Sequence, residues 1–130
     1  MTKVSKIQLK GKIIGFEDYA DYVLEDAFGE ASPFRILSCN DASISFIIAN
    51  PFQIIDDYTF RIEDDLVNDL GLNGLEDVAV LCVVRYEGHT FFINLRSPLI
   101  INTARGVFIQ TILQDEAYSV SVPFKMKKSE

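Results

Sequence analysis

The chain has 130 residues, nearly half of them hydrophobic with ten Phe, five Tyr and no Trp, which suits one folded domain with a single core and excludes a disordered or collagen-like chain. Its net charge of −7 is unevenly spread: residues 1–12 carry four lysines and no acid, residues 125–130 three lysines and one glutamate, and residues 13–124 five basic against 18 acidic side chains, a net of −13. Such a body argues against phosphate binding and direct contact with nucleic acid, and favours encounter with a basic protein.

In chain order, Ile7 to Phe16 alternates imperfectly, and Gly11 and Gly15 each predict a bend or bulge. Val23 to Phe28 is compatible with a loop or a short helix. Phe34 to Cys39 and Ser43 to Ala49 flank the turn-forming Asn40-Asp41-Ala42-Ser43 and read as a hairpin. Tyr58 to Ile62 alternates cleanly and should turn one side to a core.

Glu63 to Leu70 predicts the one helix. Glu63, Asp64 and Asp65 stand in its first turn, where they meet the positive end of the dipole, and Gly71 follows as a left-handed cap. Beyond Asn73-Gly74 the pattern returns to strands at Val78 to Tyr86, Thr90 to Leu95, Leu99 to Asn102, Val107 to Leu113 and Tyr118 to Val122. Glu87-Gly88-His89 is the turn between the first two. Eight or nine short strands with regular turns predict a mainly β, single-domain antiparallel barrel or barrel-like sandwich with one short helix, spanning residues 1–124, followed by a basic, frayed tail at 125–130.

The apolar runs, such as Val78 to Val84, are too short to cross a bilayer, and the basic start leads into no long apolar segment, so neither a membrane span nor a secretion signal is expected. Cys39 and Cys82 sit in apolar runs 43 positions apart and read as buried free thiols in a cytoplasmic protein. A single His and no C-x-x-C exclude a zinc site, and the acidic stretches lack the alternating ligands and glycine of a calcium loop. No metal or cofactor is expected.

The sequence predicts no catalytic residues. The carboxylate pairs Asp56-Asp57, Asp64-Asp65, Glu76-Asp77 and Asp115-Glu116 are adjacent residues, which on a strand point to opposite faces and suit turns and solvated surface better than acid–base chemistry. His89 lies in a turn, with no nucleophile elbow or phosphate loop elsewhere.

The stretch Phe91 to Leu113 (FFINLRSPLIINTARGVFIQTIL) sets Asn94, Arg96, Pro98, Asn102, Arg105, Gly106 and Gln110 among apolar residues. Asn94, Asn102 and Gln110 are expected to hydrogen-bond backbone at bulges or loops. Pro98 cannot donate to a ladder, so its segment should begin at an edge or bulge, where a partner's strand could be accepted. The word order N-L-x-x-P, two apolar residues, I-N and a later Gln resembles the flagellar assembly factor FliW family. Ser32-Pro33-Phe34 with Ile36, Leu37 and Ser38, the run Ser45 to Phe52, Tyr58-Phe60-Ile62, Leu75 to Val84 and Asp115 to Tyr118 are similar to its other segments, over roughly residues 13–120. Departures are Ile14-Gly15-Phe16-Glu17, which lacks the family's proline, and Arg35 and Ser38, where apolar and glutamine residues are commoner.

The resemblance implies a cytoplasmic protein that binds flagellin and, when free of it, binds the translational regulator CsrA, a basic RNA-binding dimer, so relieving repression of flagellin translation. Asp56, Asp57, Asp64, Asp65 and Asp69 are the expected acidic contacts. Phe52, Ile54, Ile55 and Tyr58 either contribute to a hydrophobic groove for flagellin or pack in the core. The rival reading is a split barrel holding a small molecule or anionic cofactor through Asn94, Arg96 and Arg105.

Overall fold

The computed structural model describes residues 6–29 and 31–125. Of the expected basic tail, only Lys125 lies within them; residues 126–130 are outside the described residues. The described residues form nine strands, β1 (Lys6–Lys12), β2 (Asp21–Glu25), β3 (Phe34–Cys39), β4 (Ser45–Ala49), β5 (Val78–Glu87), β6 (Thr90–Ile93), β7 (Leu99–Asn102), β8 (Val107–Gln110) and β9 (Val122–Phe124), and one α-helix, α1 (Asp64–Leu70). The segment from Val23, open between loop and helix in sequence, belongs to β2 as far as Glu25.

β1 to β4 form an antiparallel meander, and β4 pairs on to β5, β5 to β7 and β7 to β8. β8 then returns to β1, closing a seven-strand barrel. This last pairing is parallel, with Gly11 opposite Phe108, so the barrel is not antiparallel throughout. Gly11 sits in regular strand, not in the expected bend; a Cβ there would collide with the ring and carbonyl of Phe108. The turn belongs to Gly15, at φ +90°. β6 and β9 extend from the far half of β5 as a small antiparallel flap.

The long strand β5 has apolar residues on both faces because both are covered. Leu81 joins Leu9, Tyr22, Leu37, Ile48, Leu99 and Phe108 inside the barrel. On its other face Cys82 and Val84 meet Tyr58, Ile93, Leu95 and Phe124 in a second cluster. Leu66 and Leu70 of α1 pack on Ile100, so the continuous run of β7 is buried on both sides as well. Pro98 is accordingly no edge residue: β7 lies between β5 and β8, and Pro98 ends the pairing with β8, its carbonyl accepting from the Thr111 N–H (3.0 Å) with no N–H to return.

Two other expectations need correction. Tyr58 to Ile62 keeps its alternation, with Tyr58 buried and Thr59 and Arg61 exposed, but it joins no ladder. A side chain holds it instead: the Tyr118 hydroxyl accepts from the Thr59 N–H (3.0 Å) and donates to the Thr59 carbonyl (2.7 Å). Tyr118 to Val122 is not a strand either. Ser119 Oγ accepts from the Ser121 N–H, bending the chain, so pairing starts only at Val122.

Both cysteines are buried and free, Cys39 in the barrel and Cys82 in the second cluster. Burial pushes the Cys82 thiol up to about 12, against a smaller lowering by the Tyr58 hydroxyl. Burial foremost, then the neighbouring Cys82 and Tyr118, raises the Tyr58 phenol too. Both groups keep their protons in the folded chain at pH values where the unfolded chain loses them. Stability should therefore hold up to about pH 9 and fall progressively above it. A urea midpoint that stayed level to about pH 11 would contradict this linkage.

Candidate partner-binding groove and acidic face

The barrel wall has a gap, and one proline causes it. β4 pairs with β5 through Ala49 opposite Cys82; continued for two residues, the register would set Pro51 opposite Val80. Pro51 has no N–H to offer, and the chain turns there into a 3-10 turn, Pro51–Gln53, capped by Asn50 Oδ1 on the Phe52 N–H (3.0 Å). Among the described residues, the first half of β5 is thus paired on one edge only, by β7.

The ladder dictates which groups are left over. The Thr103 N–H donates to the Asp77 carbonyl (2.8 Å), and the Asn94 N–H to the Val83 carbonyl (2.9 Å), so odd-numbered residues of this strand point at β7 and β6. Val80 points its N–H and carbonyl, and Val78 its carbonyl, the opposite way; the Val78 N–H donates to the Leu75 carbonyl and closes the 3-10 turn Leu75–Asp77. That edge borders an open groove of about 1020 Å³. The extended segment Thr59 to Ile62 contributes another part of its lining, and Val67, Leu72 and Leu75 extend it past the helix. The lining carries Arg35 and Arg61 and no carboxylate. Arg35 donates to the carbonyls of Ser32 (2.6 Å) and Phe34 (2.8 Å). Arg61 bridges Asp64 at 3.1 Å with both side chains largely exposed, a pairing of small net worth.

The four apolar candidates separate. Phe52 is half exposed and lines the groove, Ile54 and Ile55 pack partly against the second cluster, and Tyr58 is buried, donating to the Leu95 carbonyl (2.7 Å). All five aspartates are exposed, Asp56 and Asp57 in the turn before Tyr58 and Asp64, Asp65 and Asp69 on α1.

The polar motif bonds to backbone. Asn94 Oδ1 accepts from the N–H groups of Arg96 (3.2 Å) and Ser97 (3.0 Å), and Asn102 Oδ1 does the same for Ala104 (3.0 Å) and Arg105 (3.1 Å). Asn102 Nδ2 donates to the carbonyls of Leu70 (2.8 Å) and Gly71 (3.3 Å), finishing the end of α1. Gly71 is left-handed there (φ 65°), as its position predicted. Gln110 ties Ser97 to Ile14, donating to the carbonyl of one (3.0 Å) and accepting the N–H of the other (2.9 Å). Asn94 and Arg96 precede β7 while Arg105 follows it, so the three residues of the cofactor reading sit at opposite ends of a strand. Among the described residues no group of three His, Cys, Asp or Glu is placed to hold a metal ion, and no helix is long and apolar enough to cross a membrane.

The family model described as FliW protein matches residues 1–124. The chain belongs to the FliW family. A flagellar assembly factor FliW of Caldicellulosiruptor saccharolyticus is 38% identical over 109 residues, covering 82% of this chain and 70% of that protein. One from Clostridioides difficile is 32% identical over 121 residues, covering 91% and 92%. A crystal structure of a flagellar assembly factor FliW superposes with a TM-score of 0.83 at 23% identity, over 95% of this chain and 88% of that one, and shares the fold. Of the departures from the FliW pattern, Ser38 finds a local partner in Ser45 across β3 and β4 (Oγ to Oγ 3.1 Å). The gap beside Pro51 left no mark in the sequence by itself; it follows from register, which needs the fold.

Proposed function

We propose that this chain is a cytoplasmic, non-catalytic flagellar assembly factor that binds flagellin and, when free of it, binds and antagonises CsrA, so controlling flagellin translation. Family membership supports the assembly role. The observation that carries the CsrA half is the exposed acidic surface, with Asp56, Asp57, Asp64, Asp65 and Asp69 all open to solvent on a body of net −13. A basic RNA-binding protein docked there is drawn in by long-range attraction, and RNA phosphate within a Debye length of ~8–10 Å is repelled. Antagonism then requires no occupation of the RNA site. Flagellin, whose apolar ends are exposed before assembly, suits the groove beside Phe52.

The test is calorimetric titration against flagellin and CsrA of the same organism at two salt concentrations. Binding to both, with CsrA affinity falling as salt rises, is the expected result; binding to neither would refute the reading. Changing the five aspartates to asparagine should weaken CsrA binding about tenfold or more at low salt and leave flagellin nearly unaffected. An unchanged CsrA affinity would remove the electrostatic component.

A further inference from the structure

The groove offers main chain as well as apolar surface. We propose that the unpaired edge of β5, Val78–Leu81, is a strand-addition site for an extended segment of a partner protein, apolar at alternate positions and carrying a carboxylate opposite Arg61. The inference rests on reading the chain as a protein-binding module, and not on which protein is bound.

Three observations lead to this occupant. Val80 presents its N–H and carbonyl, and Val78 its carbonyl, toward a groove and, among the described residues, without a neighbouring strand, while the Val78 N–H donates to the Leu75 carbonyl. Four residues at ~3.3 Å each give an edge of about 13 Å, the length of a short strand. Main-chain bonds at such an edge supply affinity, and pockets for alternate side chains supply choice. Phe52, Phe60 and Ile62 provide apolar lining for one face of the added strand.

Charge selects the segment further. On a body of net −13, the groove lining holds two guanidinium groups and no acid. Arg61 is held only by an exposed bridge to Asp64, which an incoming carboxylate can replace with little loss. An acidic segment is thereby favoured over a basic one, and over a second copy of this chain with its like-charged body.

The experiment is NMR on the full chain. In the free protein the Val80 amide should exchange with solvent about a hundredfold faster than those of Ala79 and Leu81, which are bonded to β7. The probe is the capped hexapeptide Thr-Val-Glu-Val-Thr-Val at millimolar concentration. It should shift the Val80 amide and slow its exchange about tenfold. A Lys-for-Glu peptide should bind at least about fivefold more weakly. A peptide N-methylated at every central amide should not bind at all. Val80→Pro, which removes the outward N–H and also loosens the packing of Val80 on the cluster under α1, should lose the peptide while the chain stays folded.

Slow exchange at Val80 in the dilute free chain would overturn the proposal. Protection that grows with protein concentration would assign the edge to a second copy instead. Shifts confined to Arg35 and Arg61 and reproduced by acetate would mean a small-carboxylate site, and binding indifferent to N-methylation would mean a side-chain groove. If Val80→Pro fails to fold, the N-methylated peptide still decides the matter on the unaltered chain. None of these results depends on flagellin or CsrA binding, so the two readings fail separately.

Discussion

Asn102→Ala is expected to lower stability by about 3 kcal/mol, one of the largest effects of any single polar change in this chain. The side chain is 2% exposed and makes four bonds to backbone, two as donor to the end of α1 and two as acceptor in the turn before β8. Truncation leaves two carbonyls and two N–H groups without that partner, and it uncouples the helix from the barrel wall it covers. For a domain of this length the loss corresponds to a fall of ~10 °C in melting temperature. Asn102→Asp separates the two halves of the role. The carboxylate still accepts from Ala104 and Arg105, but it cannot donate to Leu70 and Gly71 and sets a charge against their carbonyls. It should be as damaging as alanine at pH 7 and partly recover in acid, once protonation restores a donor. Urea unfolding at both pH values measures this; a cost under about 1 kcal/mol for the alanine variant would mean that solvent satisfies the freed groups.

Gly11→Ala should cost a similar amount by a different route. The added methyl meets both the ring and the carbonyl oxygen of Phe108. A ring can turn, but the carbonyl moves only if β8 shifts away from β1, and that pair closes the barrel. Phe108 is also locked inside, edge-on to Tyr22 with centroids 5.5 Å apart. Overpacking of this kind costs about 3 kcal/mol. Gly15→Ala is the control: its φ of +90° strains any side chain, but no atom lies within 4 Å, so about 1 kcal/mol is expected. If the two variants melted together, close packing at Gly11 would not be the reason for glycine there.

Local chemistry made part of this molecule legible in its sequence. The helix was announced by acids at its start and Gly71 at its end, and both act as such. The β5–β6 hairpin was announced by Glu87-Gly88-His89, where Gly88 and His89 both take left-handed conformations (φ 58° and 68°). Tyr58 to Ile62 misled because alternation reports only which side is buried; the partner for its backbone turned out to be a tyrosine hydroxyl from 59 residues away. Pro98 misled for a related reason. A missing N–H stops a ladder without making an edge: Pro98 accepts from Thr111 and ends the β7–β8 pairing inside the sheet, while Pro51, opposite Val80, ends the β4–β5 pairing. The groove is the product of that register, so no local pattern could mark it. The family pattern was legible as a whole, through the order of its segments, while the residues that meet a partner were not.

The parallel seam between β1 and β8 also sets an order of events during synthesis. β1 to β4 are neighbours in sequence and can pair as they emerge, but the seam waits for about a hundred more residues, several seconds at ~5–20 residues per second. For that interval the outer edge of β1 stands open on the ribosome, where an unpaired edge invites association with other nascent chains. β1 carries Lys6, Lys10 and Lys12, and two of them are paired across to β2, Lys6 with Glu25 and Lys10 with Asp21, both at 3.7 Å. Charge of this kind keeps an exposed edge from recruiting a wrong strand. The lysine-rich start thus guards the growing chain against aggregation until Gly11 receives Phe108 and the barrel shuts.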